Sequence, residues 1–487
     1  MPARPWSRDQ HWELPLSLDD WVAPDHPVRF LAAYVDGLSE AEWAADGVSP
    51  VKPTGAPTYA PAMLLSVWLY GFMTGIRSAR GLEAACRDGV AFQWLTGRQT
   101  PDHNTLWRFY RTHRDGMRRL LRRTVRTAVA TGLVEWAVLA VDGTKLAGNA
   151  ATARSLDEDG LTKLLARTEA AIAELEARHG GDDPPPPALP AELADAEALR
   201  ARVREARERV RAEDGPSRVN LTDPDAVLVK GRQGVMAGYN AQAATVALDA
   251  AVAGRAGRLL AAAEVVTAPD DHDQLLPMLD AAEATLGRPA AVALADGGYH
   301  SGADVTGCAR RGQVIAMPEA QQQALADPYH KDAFTYDAET DAYTCPQGQV
   351  LRFTGVKERT ERPPVRCYRG AAKACRACPA FGVCTRDRRH GRALEVGPYE
   401  PTQRAHRVWM ATAEAKALYR RRQGLIEPVF GGLKERQGAR RLLLRGLAAV
   451  RAEWSLLATA ANLRTLGRVW AGWSAARRAA LVGVPAA

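Results

Sequence analysis

Hydrophobic residues follow two main spacings along the chain, and each spacing predicts a different kind of element. A spacing of three and four residues, typical of helices, is clearest from Leu164 to Leu175. Residues 1–132 are also predicted to be mostly helical, and the apolar run Met63–Tyr70 fits a helix that is buried on most sides. Two short apolar runs, Ala137–Val141 and Ala290–Ala295, are each followed by Asp-Gly. Such unbroken runs are typical of buried strands, and we expect the glycine to end each strand. The chain is therefore predicted to be α/β.

The order of the remaining predicted elements narrows the sheet topology. Strands are predicted at 226–229, 235–246 and 259–267, followed by a helix at 273–286 and a short strand at 313–318. Antiparallel-type strands thus follow the first strand, and helix-linked strands come later. This order fits a ribonuclease H-like mixed sheet better than a doubly wound sheet.

Three further regions interrupt or flank this sheet. Residues 157–217 read as a charged helical hairpin whose tip is the proline-rich stretch 180–187. Residues 326–400 contain five of the seven cysteines and are predicted to be rich in loops. The predicted organisation is a helical N-terminal DNA-binding domain at 1–132, a core formed by 133–156 and 218–325, the hairpin at 157–217, a cysteine-rich insertion at 326–400, C-terminal helices at 401–470 that complete the core, and a tail at 471–487.

Length and composition narrow the class of protein. The 487 residues are too many for one ordinary core, and a content of 46% hydrophobic and 25% charged residues is typical of a globular chain. The sequence has no apolar run of about 18 residues, so no membrane span is predicted. A cytoplasmic location is therefore expected. The net charge of +8 is concentrated in arginine clusters at 118–126 and 420–445, which favours a polyanionic partner, nucleic acid first. Solvated helix faces are the alternative explanation of these clusters.

Three acidic residues are predicted to lie on rigid supports. Asp142 and Asp296 follow the two apolar strands, and Glu427 directly precedes Pro428, where we expect the helix to kink or restart. Lys434, seven residues after Glu427, lies on the same helix face. Three carboxylates are what two Mg²⁺ ions require for chemistry on phosphate. A single Asp-Gly after a strand is more often a turn than a ligand, but two copies together with the Glu-Pro helix favour a metal site.

The ordered set of motifs resembles a bacterial insertion-sequence transposase of the DDE superfamily over nearly the whole chain. The motifs that carry the resemblance are the helical region from Pro57 to Phe109, Val141-Asp142-Gly143-Thr144-Lys145, Asn220 to Ala226, Gly238-Tyr239-Asn240 with Gln242, Ala295-Asp296 with Gly298 to Ser301, and the Glu427 helix. The resemblance implies a ribonuclease H-like core in which Asp142, Asp296 and Glu427 bind two Mg²⁺ or Mn²⁺ ions. It also implies double-stranded DNA as partner, namely the element's terminal repeats and the target, bound by a homodimer in the cytoplasm at the nucleoid.

Residues that contact DNA are carried over from the same motifs and from the arginine clusters. They are Tyr419, Arg422, Lys434, Lys145, Arg118 and Arg122. The interval from Glu427 to Lys434 matches relatives, but the interval from Arg422 to Glu427 is one residue longer. If the family spacing is counted strictly back from Glu427, Arg420 and Gln423 stand where relatives have the tyrosine and the arginine. Tyr419 and Arg422 are nevertheless the residues predicted to make these contacts. Asn240, Gln242, Tyr299 and His300 are expected beside the acids as structural or orienting groups.

The late cysteines raise a separate question. Cys345, Cys375, Cys378 and Cys384 have spacings that could hold a structural Zn²⁺, with Cys367 and His390 as substitutes in the set. A reduced, metal-free insertion is the alternative. Cys86 and Cys308 are expected to be ordinary buried thiols.

Three other functions compete with that of a transposase. A phosphatase of the haloacid-dehalogenase type needs an aspartate two residues before Asp142, and Ala140 stands there, which excludes it. A domesticated transposase that binds DNA without cutting it stays open, although all three acids are present. A metal-dependent nuclease of the same fold would share the chemistry and differ in substrate; the long basic terminal helices favour a transposase.

Overall fold

A computed structural model describes residues 17–45, 47–48, 59–179, 191–231, 234–319, 327–360, 362–387 and 389–482. The predicted hairpin tip at 180–187, Pro57 of the N-terminal motif, the 325/326 boundary and the last five residues of the tail lie outside these ranges. The N-terminal part is helical, as its periodicity predicts. Its helices are α1 Pro27–Asp36, α2 Glu40–Ala45, α3 Pro61–Thr74, α4 Ala79–Asp88, α5 Val90–Thr96, α6 His103–Met117 and α7 Arg119–Ala130.

A mixed sheet follows these helices and forms the centre of the chain. Its elements and those inserted between them are β1 Val134–Ala147, β2 Ser155–Leu156, α8 Glu158–His179, α9 Ala191–Arg211, β3 Val219–Asn220, β4 Val227–Gly231, β5 Gly234–Leu248, α10 Ala250–Ala253, β6 Arg258–Val266, α11 Leu275–Leu286, β7 Val292–Leu294, α12 Gly302–Arg310 and β8 Val314–Ala316. The sheet order is β4-β5-β1-β7-β8, and β6 also pairs with β5. The strands β1, β4, β5 and β6 pair antiparallel, whereas β1, β7 and β8 pair parallel.

The expectation that Gly143 ends the first strand is wrong, because β1 continues to Ala147 and pairs with β5 as far as Gly238. A Cβ atom at Gly143 would lie 2.3 Å from Oδ1 of Asp271 and 2.6 Å from Nε2 of Gln242. The glycine therefore makes room for two polar side chains that approach the strand closely.

The interrupting segment between β1 and β4 is an antiparallel pair of helices, α8 and α9, between the short paired strands β2 and β3. Its buried apolar residues form a small core separate from that of the central sheet, and Leu161 and Val203 are fully buried in it. The hairpin thus has its own apolar stabilisation.

The cysteine-containing region has long loops, and it also contains a second antiparallel sheet that was not predicted. Its elements are β9 Thr335–Asp337, β10 Ala342–Thr344, β11 Val350–Arg359, β12 Arg362–Gly370, α13 Ala372–Arg376 and β13 Ala393–Val396, with sheet order β13-β12-β11-β10-β9. Only a few inward side chains, among them Phe334, Leu351 and Tyr368, form its core. A small core leaves most positions on β11 exposed, and this weakens the apolar alternation on which strand prediction depends.

The C-terminal helices are α14 Glu400–Met410, α15 Ala413–Arg436, α16 Leu447–Gly472 and α17 Ala475–Val482. Helix α16 is buried on nearly all sides, and one continuous core joins it to the N-terminal helices and the central sheet. Residues 1–132 therefore do not form a separate core among the described residues. No described helix is both long enough and apolar enough to span a membrane.

The predicted interruption of the helix at Pro428 is also wrong, since α15 runs through it without a break. Proline cannot donate to the carbonyl of Gly424, and that carbonyl instead accepts a hydrogen bond from Nε of Arg258. The arginine thus supplies the donor that proline removes from the helix interior.

Candidate active site

Asp142, within β1, and Asp296, just after β7, lie side by side where the parallel pairing of these two strands ends. Ala140 of β1 is in register with Leu294 of β7, so each aspartate comes two residues after that pair. Each uses Oδ1 to accept a backbone N–H, from Gly143 at 2.9 Å and from Gly298 at 2.8 Å. Their Oδ2 atoms are thereby turned towards a common space.

Arg422 on α15 occupies that space. Its Nη2 lies 3.0 Å from Oδ2 of Asp142 and 3.4 Å from Oδ2 of Asp296. Burial raises the pKa of Asp142 to about 6; Arg422 opposes this rise, while the charge of Asp296 adds to it. One shared cation therefore only partly offsets the cost of bringing two carboxylates together.

A third carboxylate, that of Asp271, lies beside this pair in the turn after β6. Its Oδ1 accepts hydrogen bonds from Lys145 Nζ at 2.9 Å, Asn240 Nδ2 at 2.8 Å and Gln242 Nε2 at 2.7 Å. Burial acts to raise its pKa, but these donors together hold the pKa below its ordinary value. Sequence reasoning missed Asp271 because it lies in a polar turn rather than at the end of an apolar run.

The predicted neighbours of the acids divide into two groups. The side chains of Asn240 and Gln242 are buried against Asp271, and the hydroxyl of Tyr299 donates to Oε1 of Gln242. His300 lies apart from them, with its ring 6.1 Å from that of His406. A rigid polar network on β5 thus supports the acids, while His300 belongs to different surroundings.

Glu427 is placed differently from the two aspartates. It is exposed on α15, and its Oε2 accepts a hydrogen bond from Gln423 Nε2 at 3.2 Å. Ile426, the residue before it, is the buried one that faces the sheet. Across the described part of the chain, no three His, Cys, Asp or Glu side chains are arranged to hold one metal ion.

The other predicted contacts of the C-terminal helix and of β1 lie near the acids. Lys434 Nζ donates to Thr144 Oγ1 at 2.6 Å, and Lys145 pairs with Asp271. Tyr419 packs with Leu425 against the sheet face. These residues surround the aspartates from two elements, α15 and β1.

The predicted N-terminal contacts lie on another surface. Arg118 forms an ion pair with Glu264 at 3.0 Å, whereas the side chain of Arg122 is exposed on α7. Both line a cavity of about 600 Å³ together with Arg119 and Arg126. Arg118 and Arg122 therefore lie away from the acid site, and they share a surface with two further arginines.

The four cysteines predicted as zinc ligands line one small cavity in the second sheet: Cys345, Cys375, Cys378 and Cys384. Cys345 Sγ accepts the backbone N–H of Gln349 at 3.2 Å, and burial raises the pKa of Cys384. The substitutes are elsewhere, since Cys367 lies on β12 and His390 pairs with Asp387. Cys86 and Cys308 are buried, and burial raises the pKa of each to about 11.

The donor set at the aspartates suits a hard divalent cation. The acceptor groups of Asp142, Asp296 and Asp271 are carboxylate oxygens, and Mg²⁺ is commonly bound through one or two carboxylates plus substrate phosphates. The guanidinium of Arg422 already holds positive charge between Asp142 and Asp296, and its Nε is buried without a hydrogen-bond partner among the described residues. The pair therefore fits such an ion once Arg422 moves aside.

Comparison with known families identifies two regions of the chain. Residues 344–467 match the transposase DDE domain, and residues 16–112 match a transposase domain of otherwise unassigned function. No curated protein and no solved structure matches the chain. The matched regions include Glu427, strands β11 to β13 of the second sheet and helices α1 to α5, while Asp142 and Asp296 lie between the two regions.

Proposed function

We propose that this chain is an insertion-sequence transposase of the DDE type, which hydrolyses phosphodiester bonds at the ends of its own element and joins the 3′-hydroxyl ends to target DNA; its two family matches support this assignment. The observation that carries the proposal is the pair Asp142 and Asp296, whose Oδ2 atoms face one shared cation. The order β6-β5-β1-β7-β8, antiparallel on one side of β1 and parallel on the other, supports a ribonuclease H-like core.

Asp142 and Asp296 would hold the divalent metal, Mg²⁺ or Mn²⁺, with two ions in the complete site. When bound, such ions activate the attacking hydroxyl and stabilise the leaving oxygen. The backbone N–H groups of Gly143 and Gly298 position the two carboxylates. On the β5 side the site is closed by Gln242, whose side chain is fully buried.

Two residues, Glu427 and Asp271, are candidates for the third metal ligand. Glu427 is the ligand implied by family resemblance, but its exposed side chain must turn towards the sheet to reach the pair. Asp271 already lies beside the pair, since a Cβ atom at Gly298 would be 2.9 Å from Asp296 Oδ1 and 3.8 Å from Asp271 Oδ2. Mn²⁺ binding, followed by electron paramagnetic resonance, separates the two residues. The ligand is the residue whose amide variant, Glu427→Gln or Asp271→Asn, weakens binding about tenfold or more.

Cleavage of a duplex that carries the element's own end tests the function. In Mg²⁺ we expect the wild type to nick at the end, and Asp142→Asn and Asp296→Asn to bind DNA but cut about a hundredfold more slowly or worse. Arg311→Gln, which removes only a surface pair with Asp280, is the control. Equal cutting of end and unrelated duplexes would favour a nuclease of the same fold, and binding without cutting would favour a domesticated protein.

The partner and cellular location follow from this substrate. Two element ends must be held together for joining, so we propose a homodimer on DNA, working at the nucleoid in the cytoplasm. The mass of the complex with end DNA, measured by light scattering, should equal two chains and two duplexes. A mass of one chain and one duplex would contradict the dimer but leave the cleavage chemistry intact.

A further inference from the structure

Five arginines converge around a cavity of about 200 Å³ between α15, α16 and the turn that leads into β6. They are Arg255, Arg258, Arg436, Arg464 and Arg468, which together we call the arginine pocket. Among the described residues that line this cavity there is no Asp or Glu. Its remaining lining is apolar or neutral, so the pocket carries positive charge alone.

Four of the five guanidinium groups in the arginine pocket have no partner among the described residues. Arg258 donates to the Gly424 carbonyl, whereas the other four arginines make no hydrogen bond or ion pair with any residue that the structure describes. Elsewhere in the chain, buried arginines are paired, as Arg123 is with Glu42 and Arg77 is with Glu453. Each of those two arginines has a carboxylate beside it, whereas the described lining of the arginine pocket contains none.

The fold holds these like charges together at a cost. Arg464 and Arg468 are four residues apart on α16, a spacing that sets two like charges on one face. Gly257 lets the turn before β6 lie close to α16, because a Cβ atom there would be 3.1 Å from Thr465 Cγ2. Burial and the charges of Arg468 and Arg436 lower the pKa of Arg464 below its ordinary value. An anion in the pocket would remove this repulsion.

We propose that the arginine pocket binds a backbone phosphate of the DNA on which the enzyme acts. Guanidinium groups bind phosphate oxygens through paired N–H donors, and several can share one phosphate. The pocket includes Pro428 and Val429, directly after Glu427 on α15. Arg436 is 14 residues beyond Arg422 in the same helix, or about 21 Å along it. The site is thus separate from the acids yet within reach of one bound duplex. The inference rests on the proposed function, because it takes DNA as the substrate.

Salt-dependent DNA binding by the full chain tests the pocket. Fluorescence anisotropy with a labelled end duplex, without divalent metal, gives the slope of log K against log salt. We expect the double variant Arg464→Gln and Arg468→Gln to reduce that slope by about 1, as the loss of one phosphate contact predicts, and to weaken binding about tenfold in 0.15 M salt. Arg311→Gln, whose arginine is paired with Asp280, should leave both unchanged. The thermal midpoint of the double variant should equal or exceed that of the wild type, since the change removes repulsion.

Each other outcome overturns a stated part of the argument. Wild-type slope and affinity in the double variant, with normal wild-type binding, would refute the pocket alone. No DNA binding by the wild type would refute the proposed function as well. A thermal midpoint lowered by several degrees would show that the arginines hold the fold and not a ligand. If inorganic phosphate raised the midpoint through Arg464 while DNA binding stayed normal, the ligand would be a free phosphate and not DNA.

Discussion

Replacing Asp142 by asparagine should stabilise the metal-free protein at neutral pH, although it removes a central group of the proposed site. Burial holds the pKa of Asp142 at about 6 against an ordinary 3.8. At 1.36 kcal/mol per pKa unit, the ionised carboxylate costs the folded state about 3 kcal/mol. Asparagine keeps the shape of the side chain and does not carry that charge.

The sign of the pH dependence follows from the direction of this change. A carboxyl whose folded pKa is raised binds its proton more tightly in the folded state, so its penalty is absent below about pH 4. The penalty develops between about pH 4 and pH 6 and is complete above that range. The advantage of Asp142→Asn should therefore be present at pH 7.5 and absent at pH 4.

Differential scanning fluorimetry measures this effect. For a chain of this length the unfolding entropy is about 1 kcal/mol per kelvin, so about 3 kcal/mol corresponds to a rise of about 3 °C at pH 7.5. Millimolar Mg²⁺ should raise the midpoint of the wild type and not that of the variant. A variant midpoint at or below the wild type at pH 7.5, in the absence of metal, would refute the reasoning that the carboxylate is held at a cost.

Further predictions concern the support of the site, the helix and the cysteines. Gly143→Ala should abolish cleavage with the fold retained, because its Cβ would displace the Asp271 carboxylate; normal cleavage with an unchanged circular dichroism spectrum would contradict this. Pro428→Ala should stabilise α15 by up to about 3 kcal/mol, and Arg258→Ala should cost less in that background, as measured by a double-mutant cycle in urea; additive effects would contradict the role given to Arg258. The purified chain should contain one zinc per molecule by elemental analysis, lost in Cys375→Ser but kept in Cys86→Ser; no zinc in the wild type would favour the metal-free insertion.

The pairing of Asp142 with Asp296 could be predicted because it depends on local features. Each aspartate follows an unbroken apolar run, and parallel strands bring their carboxyl ends to one edge. The predicted strands at 226–229, 235–246 and 259–267 agree within a few residues with β4, β5 and β6, because their apolar pattern is also a local feature.

What sequence reasoning missed depends on contacts between distant segments. Gly143 reads as a strand end, and only the approach of Asp271, more than a hundred residues later, explains a glycine within β1. Pro428 reads as a helix break, and only Arg258 supplies the donor that keeps α15 continuous. In both cases the residue type predicts an interruption of the strand or helix. A side chain from a distant segment explains why the element continues.

Helix α15 connects two places where charge is left incompletely balanced. At Arg422 it brings one cation to two carboxylates, so negative charge is in excess. Beyond Pro428 it borders the arginine pocket, where positive charge has no described carboxylate partner. A fold selected for stability alone would pair these groups, because neighbouring like charges repel one another. A divalent cation at the first place and a phosphate at the second would balance both, and DNA with its metal ions supplies the two together. The distribution of charge along this one helix is therefore better explained by the proposed DNA substrate than by stability.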